Sequence, residues 1–320
     1  MTDVLILGGT GWLSGRIARR WLDEGAAVTC LARGTRPAPE GAALVIADRD
    51  APDAYTDLAV RDWDHVVDIS SDAAHVERAV EALGDRTARW TYVSSVSVYS
   101  DDAMVGADES APRHPPAVPG DDYEYGAQKA AAEDAVLHLG GRALVVRPGL
   151  IVGDGDPSDR FGYWGAAFAR AGSEPVLLPP LEGRRTQVID VDDLAAFIVT
   201  TAGSGTVNAV GDQHLLADLL DAVRAQAGHT GHTVVAEEDW LVAHDIEYWA
   251  GPRSLPLWLP PEMTGFMTRS NAAFREIGGW LRPLVDTIDR VLADERERGL
   301  DRERRAGLTR AQERALLADR

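Results

Sequence analysis

The sequence predicts an α/β fold: a doubly wound parallel sheet with a second, smaller lobe. Three observations predict it. Short apolar runs recur through the first half of the chain and alternate with helical patterns, as strands covered by helices on both faces must. The first run ends in Gly8-Gly9-Thr10-Gly11, directly ahead of a helical pattern. The polar motifs then fall at the ends of the runs, where open α/β sheets bind their ligands.

The elements follow in order. Val4–Leu7 reads as the first strand. Trp12–Asp23 is an amphipathic helix closed by Gly25. Ala27–Leu31 is a second strand ending at Ala32-Arg33-Gly34, and Ala43–Ile46 a third, followed by Asp48-Arg49-Asp50. His65–Ile69 and Trp90–Val93 are the fourth and fifth. Helical patterns fill 53–60 and 72–83. Residues 100–122 are rich in Asp, Pro and Gly and read as a loop over a site. Tyr125–Leu139 is an alanine-rich helix, and Ala143–Val146 a buried strand stopped by Arg147-Pro148-Gly149. Segment 153–185 shows no clear period. Val188–Val191 and Asp192–Thr201 read as a strand and helix returning to the main body. Residues 213–285 are mixed and carry Trp240, Trp249 and Trp258, which core packing explains most simply. The charged run 294–305 reads as a solvated helical face. Thr309 with Gln312 makes a capping box for a last helix at 310–319. This divides the chain into 1–150 plus 186–212, and 151–185 plus 213–320.

Composition narrows the function. The 320 residues carry 32 basic and 51 acidic side chains, a formal charge of −19. Such a surface repels phosphate backbones and anionic lipid, which argues against nucleic-acid and membrane partners. No apolar run approaches the roughly 18 residues of a membrane span. Met1 leads almost directly into the first strand, without a signal peptide. The one cysteine, Cys30, lies in a strand; it excludes an internal disulfide framework and fits a reducing, cytoplasmic setting. His229-x-x-His232 lacks a third ligand, so no metal is expected. Of the 32 basic residues 31 are Arg; the single Lys is Lys129. A lone lysine among arginines is either chance or the mark of a place where a compact point charge is needed and a planar guanidinium fork would not serve.

A strand, then Gly8 to Gly15, then a helix is the setting a dinucleotide pyrophosphate needs: a tight turn, close backbone approach and a helix N-terminus. The third glycine of the usual pattern is Ser14 here, with Gly15 next. About 20 residues on, a carboxylate would bind a ribose 2′-hydroxyl. Ala32 stands there, followed by Arg33, with Arg36 nearby, so the expected cofactor is NADP, with NAD as the alternative. Asp48 is placed to accept from the adenine amino group.

Tyr125 and Lys129 are four apart on a helix and share one face. A tyrosine pKa of about 10 is too high for easy proton exchange near neutrality, and a nearby ammonium lowers it. Ser94-Ser95-Val96-Ser97-Val98-Tyr99 follows the fifth strand and offers a hydroxyl for a carbonyl oxygen. Lys129 can also hold the nicotinamide ribose. The plain alternatives are turn caps for the serines and a packed aromatic for Tyr125.

With GGTGWLSG at 8–15, DRD at 48–50, SSVSVY at 94–99, YGAQK at 125–129, RPGLIVG at 147–153 and QVIDVDDLA at 187–195, most of the chain resembles the short-chain dehydrogenase/reductase superfamily. The branch is the extended or atypical one, the NAD-dependent epimerase/dehydratase family, and within it the reductase-like actinobacterial members. The resemblance implies a Rossmann domain with a C-terminal substrate lobe, and Ser95, Tyr125 and Lys129 as catalytic triad, Ser95 because it lies four before Tyr99. It places the cofactor on Gly8, Thr10, Gly11, Trp12 and Leu13, on Arg33, Asp48 and Arg49, and on Ile69, Ser70, Lys129 and Pro148. Ser95, Trp164 and Gln187 would face substrate; Tyr163 and Phe161 beside Trp164 would add to an apolar pocket. A homodimer through helices such as 125–139 is implied as well. Departures narrow the subclass. Sugar dehydratases carry Asp-Glu where Val96 and Ser97 stand, and nucleotide-sugar epimerases place an Asn after the sixth strand and an Arg at Thr186, although Arg184 and Arg185 are adjacent. The expected activity is hydride transfer between NAD(P) and a carbonyl or alcohol of a small molecule. The alternatives are an epimerase with retained cofactor and a non-catalytic NADP-binding regulator.

Overall fold

A computed structural model describes residues 1–320. In chain order its elements are β1 (Asp3–Leu7), α1 (Trp12–Asp23), β2 (Ala27–Ala32), β3 (Ala43–Ile46), β4 (Trp63–Asp68), α2 (Ala73–Leu83), β5 (Thr87–Val93), α3 (Tyr125–Leu137), β6 (Ala143–Pro148), β7 (Leu150–Val152), α4 (Arg160–Ala171), β8 (Val176–Leu178), β9 (Arg185–Asp190), α5 (Val191–Thr200), β10 (Gly205–Ala209), β11 (Gln213–Leu215), α6 (Leu216–Ala227), β12 (Thr233–Val235), α7 (Glu238–Ala243), β13 (Glu247–Tyr248), β14 (Ser254–Leu255), α8 (Ala272–Glu276), α9 (Leu284–Arg298) and α10 (Arg310–Ala318). They form two compact units: 1–150 with 191–211 and 269–280, and 151–190 with 212–268 and 281–320.

The first unit is built on a seven-stranded sheet in the order β10–β6–β5–β4–β1–β2–β3. Every pairing in it is parallel. Strand order reverses between β1 and β4, which opens a crevice at their carboxyl ends. α2 packs on α3, and α1 on α5. Side chains alternate across a strand. Leu5, Leu7, Val66, Tyr92 and Val145 therefore share one core with Ala132 and Val136 of α3, and Val4, Ile6, Val67 and Val146 are buried on the opposite side.

The second unit holds a sheet β11–β9–β7, the pairs β12–β8 and β13–β14, and the packed helices α4, α6 and α9. The Thr309–Gln312 capping box opens α10.

Four expectations change. Residues 53–60 form successive turns rather than a helix; Pro52 precedes them, and Tyr55 is held by its hydroxyl, which donates to the His75 carbonyl. Segment 153–185 contains α4, buried nearly all round from Phe161 to Phe168. A helix apolar on all sides has no period to read. β9 pairs with β7 and β11, not with the main sheet, while residues 269–280 return to the first unit, where Phe274 packs on Phe197 with ring centroids 4.6 Å apart. In the charged run, Glu295 is buried rather than solvated, bound by Arg302 at 2.7 Å and Arg304 at 2.6 Å.

Candidate active site

The glycine turn leaves β1 at the point where the strand order reverses. Gly9 sits against β2: a Cβ there would lie 2.5 Å from Cys30 Sγ. Ser14 replaces a glycine without loosening the turn. Its Oγ donates to the Gly8 carbonyl at 2.7 Å and accepts from the Gly11 N–H at 2.9 Å, which stitches the turn to the first helical residues. Gly11 is the N-cap and brings no side chain of its own to the start of α1. Gly9→Ala overpacks this contact. The expected cost is about 1–3 kcal/mol, read as a lower midpoint in thermal unfolding. Burial pushes the Cys30 thiol up to about 11, which leaves it unreactive as a nucleophile near neutrality.

Beside the turn lies a cavity of about 500 Å³. Gly8, Thr10, Arg33, Asp48, Arg49, Ile69 and Ser70 all line it, as do Arg36 and Ala32. Its lining suits the adenine and ribose end of a nicotinamide dinucleotide. Leu7, Leu31, Ala47 and Ile69 offer apolar wall for a base, and the exposed Arg33 and Arg36 offer cations where β2 ends without a carboxylate. Arg49 is spent elsewhere: it makes a bidentate pair with Asp68 at 2.8 and 2.7 Å and donates to Tyr55 Oη. It therefore shapes the wall rather than offering a free guanidinium. Pro148 ends β6 opposite Ala209 and does not line this cavity.

Tyr125 opens α3. Glu124 caps the helix, accepting from the Gly126 and Ala127 N–H groups at 3.1 and 2.5 Å. The helix lies tight on the turn after Ser95; a Cβ on Gly126 would fall 2.3 Å from the Ser97 carbonyl oxygen. Tyr125 is 39% exposed, while Lys129, one turn on, is 3% exposed. Lys129 Nζ stands 5.9 Å from the Tyr125 ring centroid and 4.8 Å from that of Tyr92. It donates to the carbonyls of Ser70 and Val93, both at 2.8 Å. Burial pushes its pKa down to about 7, against an upward pull from Asp68 and Glu133. Ser95 Oγ accepts from the Ser97 N–H at 3.1 Å and donates to Ser97 Oγ at 3.1 Å. Ser94 is buried, with its Oγ unpartnered.

α3 is anchored by charge as well as packing. The buried carboxylate of Glu133 accepts from Arg147 Nε at 2.8 Å, Arg147 Nη2 at 2.7 Å and Arg113 Nη1 at 2.9 Å. Arg147 also donates to Tyr99 Oη at 2.9 Å, and Tyr99 to Asn208 Oδ1 at 2.6 Å. This network ties α3 to β6, to β10 and to the end of the Ser95 segment.

The expected substrate residues fare differently. Trp164 is wholly buried in the second unit, its Nε1 donating to the Pro256 carbonyl at 2.8 Å. Tyr163 and Phe161 are buried beside it, so these rings are core, and the expectation of a pocket wall is corrected. Gln187 is buried in β9. His229 packs on Phe168 with centroids 5.3 Å apart and shares a hydrogen bond with the Glu174 carbonyl. Asp68 and Tyr92 were not read as site residues. Asp68 ends a strand at the carboxyl edge, next to Ile69 and Ser70, and that position was the available signal.

No helix is long and apolar enough to cross a membrane. Among curated proteins, the chain is 27% identical over 299 residues to a 2′-dehydrokanamycin reductase of Streptomyces kanamyceticus, covering 86% of this chain and 81% of the relative. It is 28% identical over 296 residues to a dTDP-6-deoxy-L-talose 4-dehydrogenase (NAD(P)+) of Kitasatospora kifunensis, covering 79% and 92%. Among solved structures, the enzyme WbmH of Bordetella bronchiseptica in complex with NAD+ superposes with a TM-score of 0.67 at 18% identity, over 93% of this chain and 99% of that one. The family model described as NAD dependent epimerase/dehydratase matches residues 4–211, from the first strand past the last strand of the parallel sheet. With well over half its length so matched, the chain belongs to the NAD-dependent epimerase/dehydratase family.

Proposed function

We propose that this chain is an NAD(P)-dependent oxidoreductase that reduces a ketone, or oxidises the matching alcohol, on a sugar-derived small molecule, with NADP preferred over NAD. The observation that carries the reading is the sole lysine, buried, with its ammonium one helical turn from the solvent-facing phenol of Tyr125. Both curated relatives bear names of this chemistry, one reducing a dehydro-compound and the other oxidising a deoxy-sugar at its 4-position.

Bound along the cavity and the glycine turn, the dinucleotide supplies or accepts the hydride. Gly8, Thr10 and Gly11, with Trp12 and Leu13 at the start of α1, would hold its pyrophosphate. Asp48 would accept from the adenine. Ile69 and Ser70 would flank the path, and Pro148 would sit at the nicotinamide end. Ser95 Oγ donates to the substrate oxygen and holds it beside Tyr125. Tyr125 Oη gives that oxygen a proton in the reducing direction and takes it back in the other. Lys129 stabilises the resulting phenolate by its charge. Val96 and Ser97 put no acid–base pair after Ser95, which disfavours elimination of water of the sugar-dehydratase type.

The cofactor preference rests on Arg33 and Arg36 at a β2 end lacking a carboxylate. A hydrogen-bonded charge pair contributes about 1.5–3 kcal/mol. Arg33→Ala is therefore expected to raise the NADPH dissociation constant by about 10- to 100-fold and leave that of NADH nearly unchanged. Comparable constants for the two cofactors in the unaltered protein would overturn the preference. Cofactor that copurifies and cannot be exchanged would favour an epimerase, which oxidises and re-reduces without net consumption.

A further inference from the structure

We propose that Asp68 is a positioning residue for Lys129: it fixes the Ser70 backbone whose carbonyl holds the ammonium, and it supplies a buried negative charge that keeps the ammonium protonated. This rests on the reading of Lys129 as partner of Tyr125.

Asp68 is the last residue of β4, at the carboxyl edge of the sheet, and is fully buried. Its Oδ1 accepts from the Ser70 N–H at 2.9 Å. The other end of the same residue, the Ser70 carbonyl, accepts from Lys129 Nζ at 2.8 Å and from Tyr92 Oη at 3.0 Å. One residue thus joins carboxylate to ammonium. The carboxylate cannot drift, because Arg49 grips both its oxygens and is itself held by Tyr55 Oη at 2.7 Å and the His75 carbonyl at 2.8 Å.

The charges around the ammonium come from several elements. α3 brings Tyr125 and Glu133, β5 brings the Tyr92 ring and the Val93 carbonyl, and β4 brings Asp68. Arg147 and Arg113 together neutralise Glu133, whereas Arg49 alone neutralises Asp68. An ammonium taken out of water favours its neutral form, and burial here is nearly complete. Opposing charge must offset that, and Asp68 is the larger of the two upward influences.

The test uses the fact that Lys129 is the only lysine. Protein labelled with ¹³C at lysine Cε gives one side-chain signal, whose pH titration reads Lys129 without substrate or cofactor. Asp68→Asn keeps the size and the acceptor for the Ser70 N–H and removes the charge. Its Lys129 midpoint is expected to fall by about one unit or more, with the alkaline limb of kcat/KM moving the same way. A folded Asp68→Asn protein with an unmoved midpoint overturns the proposal and leaves the residue a structural partner of Arg49. If the single variant does not fold, Arg49→Met/Asp68→Asn is compared with Arg49→Met, so that only the carboxylate differs; a lower Lys129 midpoint in the double variant supports the proposal and equal midpoints overturn it. Failure of the oxidoreductase reading is a separate result: it would appear as full turnover in Tyr125→Phe, whatever the Lys129 midpoint.

Discussion

Tyr125→Phe is expected to lower kcat by about 10²- to 10⁴-fold, the usual contribution of a positioned proton donor. The ring stays, so packing at the start of α3 is kept, and Glu124 still caps the helix. Cofactor affinity should change little, because Tyr125 does not line the cavity beside the glycine turn. A loss confined to kcat separates a proton donor from a substrate anchor, which would raise KM instead. Stopped-assay measurement of turnover with binding titrations on the same preparation checks both parts. Near-normal turnover would remove Tyr125 from the chemistry and favour a protein that binds cofactor without using it.

Glu133→Leu is expected to cost about 3–5 kcal/mol of stability. The carboxylate is fully buried, and its loss strands Arg147, which is itself 3% exposed. The ion pair itself need not be stabilising; the cost is an uncompensated buried charge. Glu133→Leu/Arg147→Met should therefore recover much of the loss. Urea unfolding of the two variants distinguishes them, and equal losses would show that the pair's neutralisation is not what matters. Lys129 adds a pH dependence of definite sign. Its pKa falls from an ordinary 10.5 to about 7 on folding. Between those values the unfolded chain binds the extra proton, so the lysine's contribution to stability rises with pH across that window and is lost as pH falls through about 7. Lys129→Met should thus gain thermal stability over the unaltered protein at pH 6, and the gain should shrink at pH 9.

The parallel sheet was legible because both faces are covered. Val4–Leu7, Ala27–Leu31 and Ala43–Ile46 are apolar runs that match β1, β2 and β3 within a residue. Tyr125 and Lys129 were legible because helical spacing puts them on one face. The second unit was harder to read. α4 is buried on nearly every side and so lacks amphipathic period, and the same burial hid that Trp164 is core. β9 reads as any buried strand, and nothing local in it specifies which sheet it joins. The partners of Glu133 and Asp68 lie far off in sequence, at Arg147 and Arg113 and at Arg49, so no local pattern announces them. The resemblance places Arg49 at the cofactor; only its bidentate pairing with Asp68 shows where its charge goes.

The most direct measurement is a titration of purified protein with NADPH and then NADH, followed by fluorescence. Saturable binding of one equivalent, tighter for NADPH and weakened by Arg33→Ala, is the expected result. Absence of saturable binding by either nucleotide would contradict the assignment of the glycine turn, and with it the roles given to Tyr125 and Lys129.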